Sequence, residues 1–188
     1  DLVEKAAKML GHANQPMIFV GGGAYDACEE VKILAETLQA PVVSYQNGRG
    51  VLDERHYLAH TNTAGAILWD KCDVAISIGC RLQAERMTWG MDNTIKIIHI
   101  DIDPTEITRV MKPDVGIVAD ASSATKQIIN SLTKYNNKRA SREEEMLNLK
   151  GQANKLMEKK AGPQMAWLRA IRDALPENGL FVDEFTQV

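Results

Sequence analysis

Short apolar runs alternate with amphipathic segments along the first 134 residues of the chain. The runs with the pattern of buried strands are Pro16–Val20, Pro41–Tyr45, Val74–Ile78, Thr94–Asp103 and Val115–Val118. Between them, apolar residues recur at helical spacing in Leu2–Leu10, Ala27–Leu38, Ala64–Trp69 and Ser122–Leu132. Apolar runs without polar alternation are typical of strands that are covered on both faces. The alternation therefore predicts an α/β fold, a doubly wound parallel sheet flanked by helices.

The clearest of these strands is Thr94–Asp103, whose apolar residues are isoleucines. Branching at the β-carbon favours an extended chain. Asp101 and Asp103 lie at its carboxyl end, and Pro104–Ile107 has the pattern of a first helical turn, a position that suits proline. Because ligands of open α/β sheets bind beyond the carboxyl ends of strands, these acids could hold ribose hydroxyls. The alternative for Asp103 is that it caps the next helix.

Glycines follow two further predicted strands. Gly21, Gly22 and Gly23 come directly after one strand and before a helix, where a backbone can approach a phosphate closely. The full G-x-G-x-x-G fingerprint is absent because Asp26 stands in place of its third glycine, so a tight structural turn is the alternative. The segment Gly79-Cys80-Arg81 follows the strand Val74–Ile78, again at a carboxyl end.

The loop of residues 80–93 is long for a compact domain, and such loops are usually functional or mobile. Trp89, within it, is expected to cover apolar neighbours rather than to stack on a ligand. His56, His60 and His99 show no pattern of a metal site or a nucleophile, and His99 is expected to be a satisfied core histidine. The sequence predicts no catalytic residues and no metal ligands in this chain.

Composition narrows the classes of function. The chain has 188 residues, 45% hydrophobic and 25% charged, with a net charge of −3. The slightly negative net charge predicts no nucleic-acid partner. No apolar run is long enough to span a membrane. An export signal is absent from the first residues, which favours the cytoplasm. Cys28, Cys72 and Cys80 lack metal-ligand spacing, so reduced thiols are expected.

The pattern changes after Thr133. Residues 135–162 are largely polar and predict a solvent-facing linker helix. Residues 163–188 predict a new amphipathic helix, Gln164–Leu175, and a strand, Leu180–Glu184, as in the truncated start of another domain. Because the chain starts without methionine and stops just after this apolar run, we expect it to be an excised piece of a longer protein.

Several motifs occur together in a familiar order. They are Pro16–Gly23, Pro41–Val43, Cys72–Arg81, Ile97–Ile107 and Val118–Ala121. In this combination, residues 1–134 resemble the central domain of thiamine-diphosphate-dependent enzymes, the family of acetohydroxyacid synthase, pyruvate oxidase, oxalyl-CoA decarboxylase and benzoylformate decarboxylase. The resemblance implies a Rossmann-like nucleotide-binding fold. Residues 163–188 resemble the start of the family's diphosphate-binding domain, whose strand ends in an aspartate, here Asp183.

The resemblance also implies a function for the longer protein. It would make or break a carbon–carbon bond beside a carbonyl in 2-keto acids or related compounds, through a carbanion on thiamine. Other domains would hold thiamine diphosphate and Mg²⁺, so this fragment alone would be inactive. Its partners would be those domains, in a homodimer or homotetramer.

The central domain binds FAD in some members of the family, ADP in oxalyl-CoA decarboxylase and nothing in several decarboxylases. The candidate nucleotide contacts carried over by position are Gly21, Gly22, Gly79, Arg81, Asp101, Ile102 and Asp120, with Asp101 at the adenosine ribose. Flavin-binding members also have a Gly-x-His-Gly turn, which is here Leu58–Thr61, without either glycine. Bulkier residues block close backbone approach, so FAD or ADP binding is an alternative rather than our expectation.

Two other functions fit the sequence less well. A stand-alone nucleotide-binding or regulatory module without catalysis would need no further domain. An NAD-dependent deacylase has a similar nucleotide fold, but it needs a catalytic histidine in an Asn-x-Asp pocket and usually a zinc module, and the sequence shows neither.

Overall fold

The computed structural model describes residues 1–90 and 94–182. It contains a six-stranded sheet in the order β3-β2-β1-β4-β5-β6. The strands are β1 (Pro16–Val20), β2 (Val42–Ser44), β3 (Ala59–His60), β4 (Val74–Ile78), β5 (Lys96–Asp101) and β6 (Val115–Val118). The helices are α1 (Leu2–His12), α2 (Cys28–Leu38), α3 (Asn62–Trp69), α4 (Ala121–Leu132) and α5 (Glu143–Ala174).

Each neighbouring pair of strands is parallel, which confirms the predicted α/β fold. The chain runs outward from β1 to β3 and then returns to β4 on the other side of β1. The strand order therefore reverses between β1 and β4, at the point where ligands bind in many open α/β sheets. All the residues of β1 and β4 are buried, which explains why their sequences are apolar except for Ser77.

The sheet carries packed side chains on both faces. On one face, Phe19 and Val43 belong to a buried cluster that includes Trp69 of α3, and Trp89 packs against it. The Trp89 ring centroid lies 6.1 Å from that of Phe19 and 5.8 Å from that of Trp69. The prediction that Trp89 covers apolar neighbours is thus confirmed. Trp89 ends a π-helical turn, Glu85–Trp89, in the predicted long loop.

Two local predictions were wrong. Pro104–Ile107 does not start a helix, and the residues after β5 form successive turns instead. The Asp103 side chain accepts a hydrogen bond from the Thr105 amide, 2.8 Å away, and such an Asx turn competes with helix formation. The two-residue strand β3 was missed because it is too short to show a period.

The chain divides into two compact units, Asp1–Lys150 and Gly151–Val188. Met146 and Leu149 are buried in the first unit, although most side chains of the predicted linker helix are exposed as expected. The backbone of α5 is non-helical at Ala161, with φ −143° and ψ 40°, close to the predicted boundary between the linker helix, residues 135–162, and the segment 163–188. Leu180–Val182 form no strand, and Asp183 lies outside the described residues, so the predicted further domain stays a prediction.

Candidate functional site

The predicted contact residues follow four adjacent strands at the same edge of the sheet. Gly21 follows β1, Gly79 follows β4, Asp101 ends β5, and Asp120 comes shortly after β6. Since the strands are parallel, their carboxyl ends share one edge. We call this edge the carboxyl rim, meaning the segments 21–23, 79–81, 101–109 and 118–120. Whether these residues bind a nucleotide stays a prediction.

The glycines of the rim allow two loops to pack backbone to backbone. A β-carbon on Gly21 would overlap the Gly79 carbonyl oxygen, and one on Gly79 would lie 2.5 Å from the Gly23 carbonyl carbon. Gly79 also has a φ of +57°, a conformation that other residues rarely adopt. The structure thus accounts for Gly21 and Gly79 by a tight turn, without a ligand. Gly22 is exposed, and its nearest neighbour would be Asn47 at 3.5 Å.

Arg81 is engaged by a carboxylate that sequence analysis did not single out. Its Nε lies 2.6 Å from Glu106 Oε2, and its Nη2 lies 3.1 Å from Glu106 Oε1. Arg109 Nη1 also donates to Glu106 Oε1, at 2.6 Å. The hydrogen bonds from Arg81, and then those from Arg109, lower the pKa of Glu106. A carboxylate shared by two guanidiniums fixes the turn after β5 against the loop after β4.

The acids of the rim hold local backbone amides. Asp101 Oδ1 accepts from the Asp103 amide at 3.0 Å, and Asp103 Oδ1 accepts from the Thr105 hydroxyl at 2.7 Å. The hydrogen bonds from Thr105 lower the pKa of Asp103. Asp120 caps α4 by accepting from the Ser123 amide at 2.8 Å. Each of these carboxylates therefore has a structural role in its own turn or helix.

The remaining carried-over residue, Ile102, is strongly exposed. Its side chain is 73% accessible at the rim, between two acids. The charged side chains of the carboxyl rim are Asp101, Asp103, Glu106, Asp120, Arg81 and Arg109. Since four of them are acidic and two are basic, the local charge opposes the approach of a diphosphate.

The segment that replaces the glycine-rich turn of flavin-binding members is packed inside the protein. Leu58, Ala59 and His60 are each at most 2% exposed. Burial, followed by the positive charges of Lys150 and Arg142, lowers the pKa of His60 to about 4. His60 is therefore a neutral, buried histidine within this stretch.

A buried carboxyl group lies in the loop after β4. Glu85 is fully buried and accepts a hydrogen bond from the Tyr45 hydroxyl. Burial raises the pKa of Glu85, while burial and the charge of Glu85 raise the pKa of Tyr45. An acid within a long loop is a weak signal for this pair in the sequence, because the contact joins residues that are 40 positions apart.

Residues 1–90 and 94–182 contain no metal-binding arrangement. No group of three or more His, Cys, Asp and Glu side chains in those ranges could hold a metal ion. All three cysteines are free, and burial raises the pKa of both Cys72 and Cys80 to about 12. Since the thiolate is the reactive form, these two cysteines are poor nucleophiles. Within the same ranges, no helix is both long and apolar enough to cross a membrane.

Comparison with known proteins agrees with this fold. A family model, thiamine pyrophosphate enzyme, central domain, matches residues 3–128. The chain belongs to this family. The parallel sheet and the carboxyl rim both lie within the matched residues, so the site described above is part of a thiamine pyrophosphate enzyme central domain.

Curated relatives of this central domain are acetolactate synthases. A probable acetolactate synthase large subunit of Methanocaldococcus jannaschii is 37% identical over 141 residues, which are 69% of this chain and 24% of that protein. Its counterpart in Methanococcus aeolicus is 38% identical over 147 residues, 72% of this chain and 24% of that protein. The acetolactate synthase large subunit of Corynebacterium glutamicum is 34% identical over 140 residues, 69% of this chain and 22% of that protein. The chain thus spans about a quarter of the length of these relatives.

Proposed function

We propose that this chain is the central domain of a thiamine-diphosphate-dependent enzyme of the acetolactate synthase type. The observation that carries the proposal is the family match over residues 3–128, which coincides with the six-stranded parallel sheet. The whole enzyme would act on 2-keto acids or related carbonyl compounds as a transferase or lyase. Thiamine diphosphate would supply the stabilised carbanion needed for that chemistry.

The chain itself serves as a scaffold in this proposal. Its sequence contains no Gly-Asp-Gly motif for Mg²⁺ and the diphosphate, and its described residues contain no metal-ligand cluster. The residues present therefore do not fit thiamine diphosphate, and the remaining domains of the same enzyme would hold it. We place the enzyme in the cytoplasm as a homodimer or homotetramer.

Binding of FAD or ADP at the carboxyl rim, with Asp101 at the ribose, is the less favoured alternative in this proposal, and any such binding would be weak. Three features support weak rather than tight binding. Two donor nitrogens of Arg81 are already engaged by Glu106. The loops that contain Gly21 and Gly79 pack backbone to backbone and leave no space between them. The charge of the rim is also negative. FAD, which also needs room for its flavin, is the less favoured of the two nucleotides.

Titration of the 188-residue chain with FAD tests this proposal. Tryptophan fluorescence is a suitable readout because Trp89, in the loop after β4, packs against Trp69. We expect FAD at micromolar concentrations to cause no saturable quenching of the tryptophan fluorescence. Addition of ADP as a competitor should leave the fluorescence unchanged. A central domain that has the Gly-x-His-Gly turn serves as the positive control. Stoichiometric, tight FAD binding would overturn the proposed weak cleft without affecting the family assignment.

A further inference from the structure

Residues 82–90, which we call the strap, pack on one face of the sheet through three inward-facing side chains. Leu82 is 2% exposed and Glu85 is fully buried, while Trp89 packs against Trp69. The three residues between Glu85 and Trp89 are exposed. The strap therefore has a solvent side and a buried side, and the buried side carries a carboxyl group among apolar neighbours.

The strap is strained at one end and attached at the other. Leu82 has a φ of +50°, an uncommon conformation for leucine that persists only where neighbouring contacts hold it. At the other end, Trp69 Nε1 donates to the Gly90 carbonyl at 2.6 Å. Glu85 and Trp89 begin and end the π-helical turn between these points, and π-helical turns are often functional.

The surroundings of Glu85 suit a neutral acid better than a carboxylate. The Tyr45 hydroxyl donates to Oε2, whereas Oε1 is buried without a hydrogen-bond partner among the described residues. None of the ion pairs in that part of the chain includes Glu85. Burying a charge with one neutral donor and no counter-ion is unfavourable, and burial accordingly raises the pKa of Glu85.

Two other titratable groups are electrostatically coupled to Glu85. They are Tyr45 at the end of β2 and Cys80 at the start of the loop after β4. Burial is the main cause that raises both of their pKa values, that of Cys80 to about 12. Neither group therefore ionises between about pH 5 and about pH 9. Within that range, ionisation on the buried side of the strap falls to Glu85.

The sign of the pH effect follows from this shift. The pKa of Glu85 is higher in the packed strap than in an exposed glutamate. Packing of the strap is therefore fully favourable below the ordinary glutamate pKa, and it weakens as the pH rises through the raised value.

We propose that the strap is a pH-sensitive element of the fold: neutral Glu85 keeps residues 82–90 packed on the sheet, and loss of its proton to solvent releases them and exposes Trp69 and Trp89. The strands of the sheet stay paired in this local opening. The device goes beyond the proposed function and does not depend on it, because every group involved belongs to this chain.

Acrylamide quenching of tryptophan fluorescence in the 188-residue chain tests the proposal. The chain has three tryptophans, and Trp167, at 73% exposed, is first replaced by Trp167→Phe so that Trp69 and Trp89 report alone. We expect the quenching constant to rise about twofold or more between about pH 5 and about pH 9.

Two matched variants separate Glu85 from other titrating groups. Glu85→Gln keeps an oxygen that accepts from Tyr45 and cannot ionise, so its quenching constant should not change over the same pH range. Glu144→Gln removes a carboxyl group at an exposed position and should keep the wild-type profile. A wild-type constant that does not change with pH, or an equal rise in Glu85→Gln, would overturn the proposal.

Tyr45→Phe keeps the ring and removes the hydroxyl that donates to Glu85. Because the packed state loses a hydrogen bond, the midpoint of the rise should move to lower pH, by up to about one pH unit. An unchanged midpoint would contradict the role of Tyr45 in holding the strap.

Hydrogen exchange separates local release from unfolding and needs no substitution at Glu85, should Glu85→Gln fail to fold. At the upper end of the pH range, the wild-type amides of residues 83–89 should lose protection while those of β1 and β4 keep it. Equal loss of protection in β1 and in residues 83–89 would show that the whole domain opens, and would refute a pH-sensitive strap.

Discussion

Gly79 illustrates how one absent side chain shapes the carboxyl rim. It combines a φ of +57° with backbone atoms of Gly23 at 2.5 Å from the position of a β-carbon. Both features are backbone requirements, so no flexible side chain can move aside to admit a substituent. The loop after β4 can approach the loop after β1 only if this position is glycine.

We expect Gly79→Ala to lower the free energy of unfolding by about 2–4 kcal/mol, through the strained φ and the enforced separation of the loops. Urea denaturation measures the change. Gly151→Ala is the matched control, because a β-carbon there meets nothing within 4 Å in a helix. It should be neutral or stabilising by up to about 1 kcal/mol. Equal stabilities of the two variants would contradict this explanation of the turn.

His60 makes the stability of the domain depend on pH. Its pKa is about 4 in the folded chain and about 6.5 when unfolded, so folding favours the neutral ring. The resulting stability is fully present above pH 6.5 and is lost as pH falls from 6.5 towards 4. The difference amounts to at most about 3 kcal/mol.

His60→Gln removes the titrating group and should flatten the dependence of unfolding free energy on pH between about 6.5 and 4. Urea denaturation at several pH values in this window measures the slope. His12→Gln, at an exposed position, should keep the wild-type slope. A wild-type slope in His60→Gln would show that the ring is not a neutral buried group.

At the scale of elements, the segment after α4 is attached to the end of α1 by one guanidinium. Arg139 Nη1 donates to the Ala13 carbonyl at 2.8 Å, and Nη2 donates to the Leu10 and Gly11 carbonyls at 3.0 and 3.3 Å. The last carbonyls of a helix lack helical partners, and positive charge is favourable beside them. Arg139 therefore caps α1 from a position 126 residues along the chain from Ala13.

Arg139→Met keeps most of the apolar stem and removes these hydrogen bonds. We expect a loss of about 1–2 kcal/mol in unfolding free energy and faster hydrogen exchange in α1. Lys138→Met changes the same charge at an exposed neighbour and should have little effect. Unchanged exchange in α1 of Arg139→Met would rule out the capping role.

The elements also show where sequence patterns succeed. Strands β1, β4 and β5 were predicted within a few residues because each is a largely apolar run between turn signals. The turns after β5 were mistaken for a helix, since Pro104-Thr105-Glu106 fits both structures locally. The choice is made by long-range partners, because Glu106 is held by Arg81 from the loop after β4.

At the scale of the whole molecule, the central prediction concerns thiamine diphosphate. The isolated chain should show no heat of binding for thiamine diphosphate with Mg²⁺ in calorimetry, because its sequence has no Gly-Asp-Gly motif and its described residues contain no metal-ligand cluster. A longer protein that includes this domain should lose its activity when both are removed and regain it when they are restored. Activity that persists without them would refute the proposed enzyme class.

The sequence by itself determined the fold class and the family. Apolar runs and their spacing are local signals that survive without coordinates, and the motifs from Pro16 to Ala121 identify the central domain. It also placed Gly21, Gly79, Arg81, Asp101 and Asp120 at strand ends, where parallel pairing brings them to one rim.

Only the tertiary structure decided what those residues contact. Gly21 packs against Gly79 because the strand order places β1 beside β4. Strand order and side-chain direction also decide that two arginines share Glu106 and that His99 lies next to Asp101. The contacts between loops also join residues far apart in sequence, so no local pattern encodes them. For that reason the sequence located the rim, while only the tertiary structure decided how its loops pack.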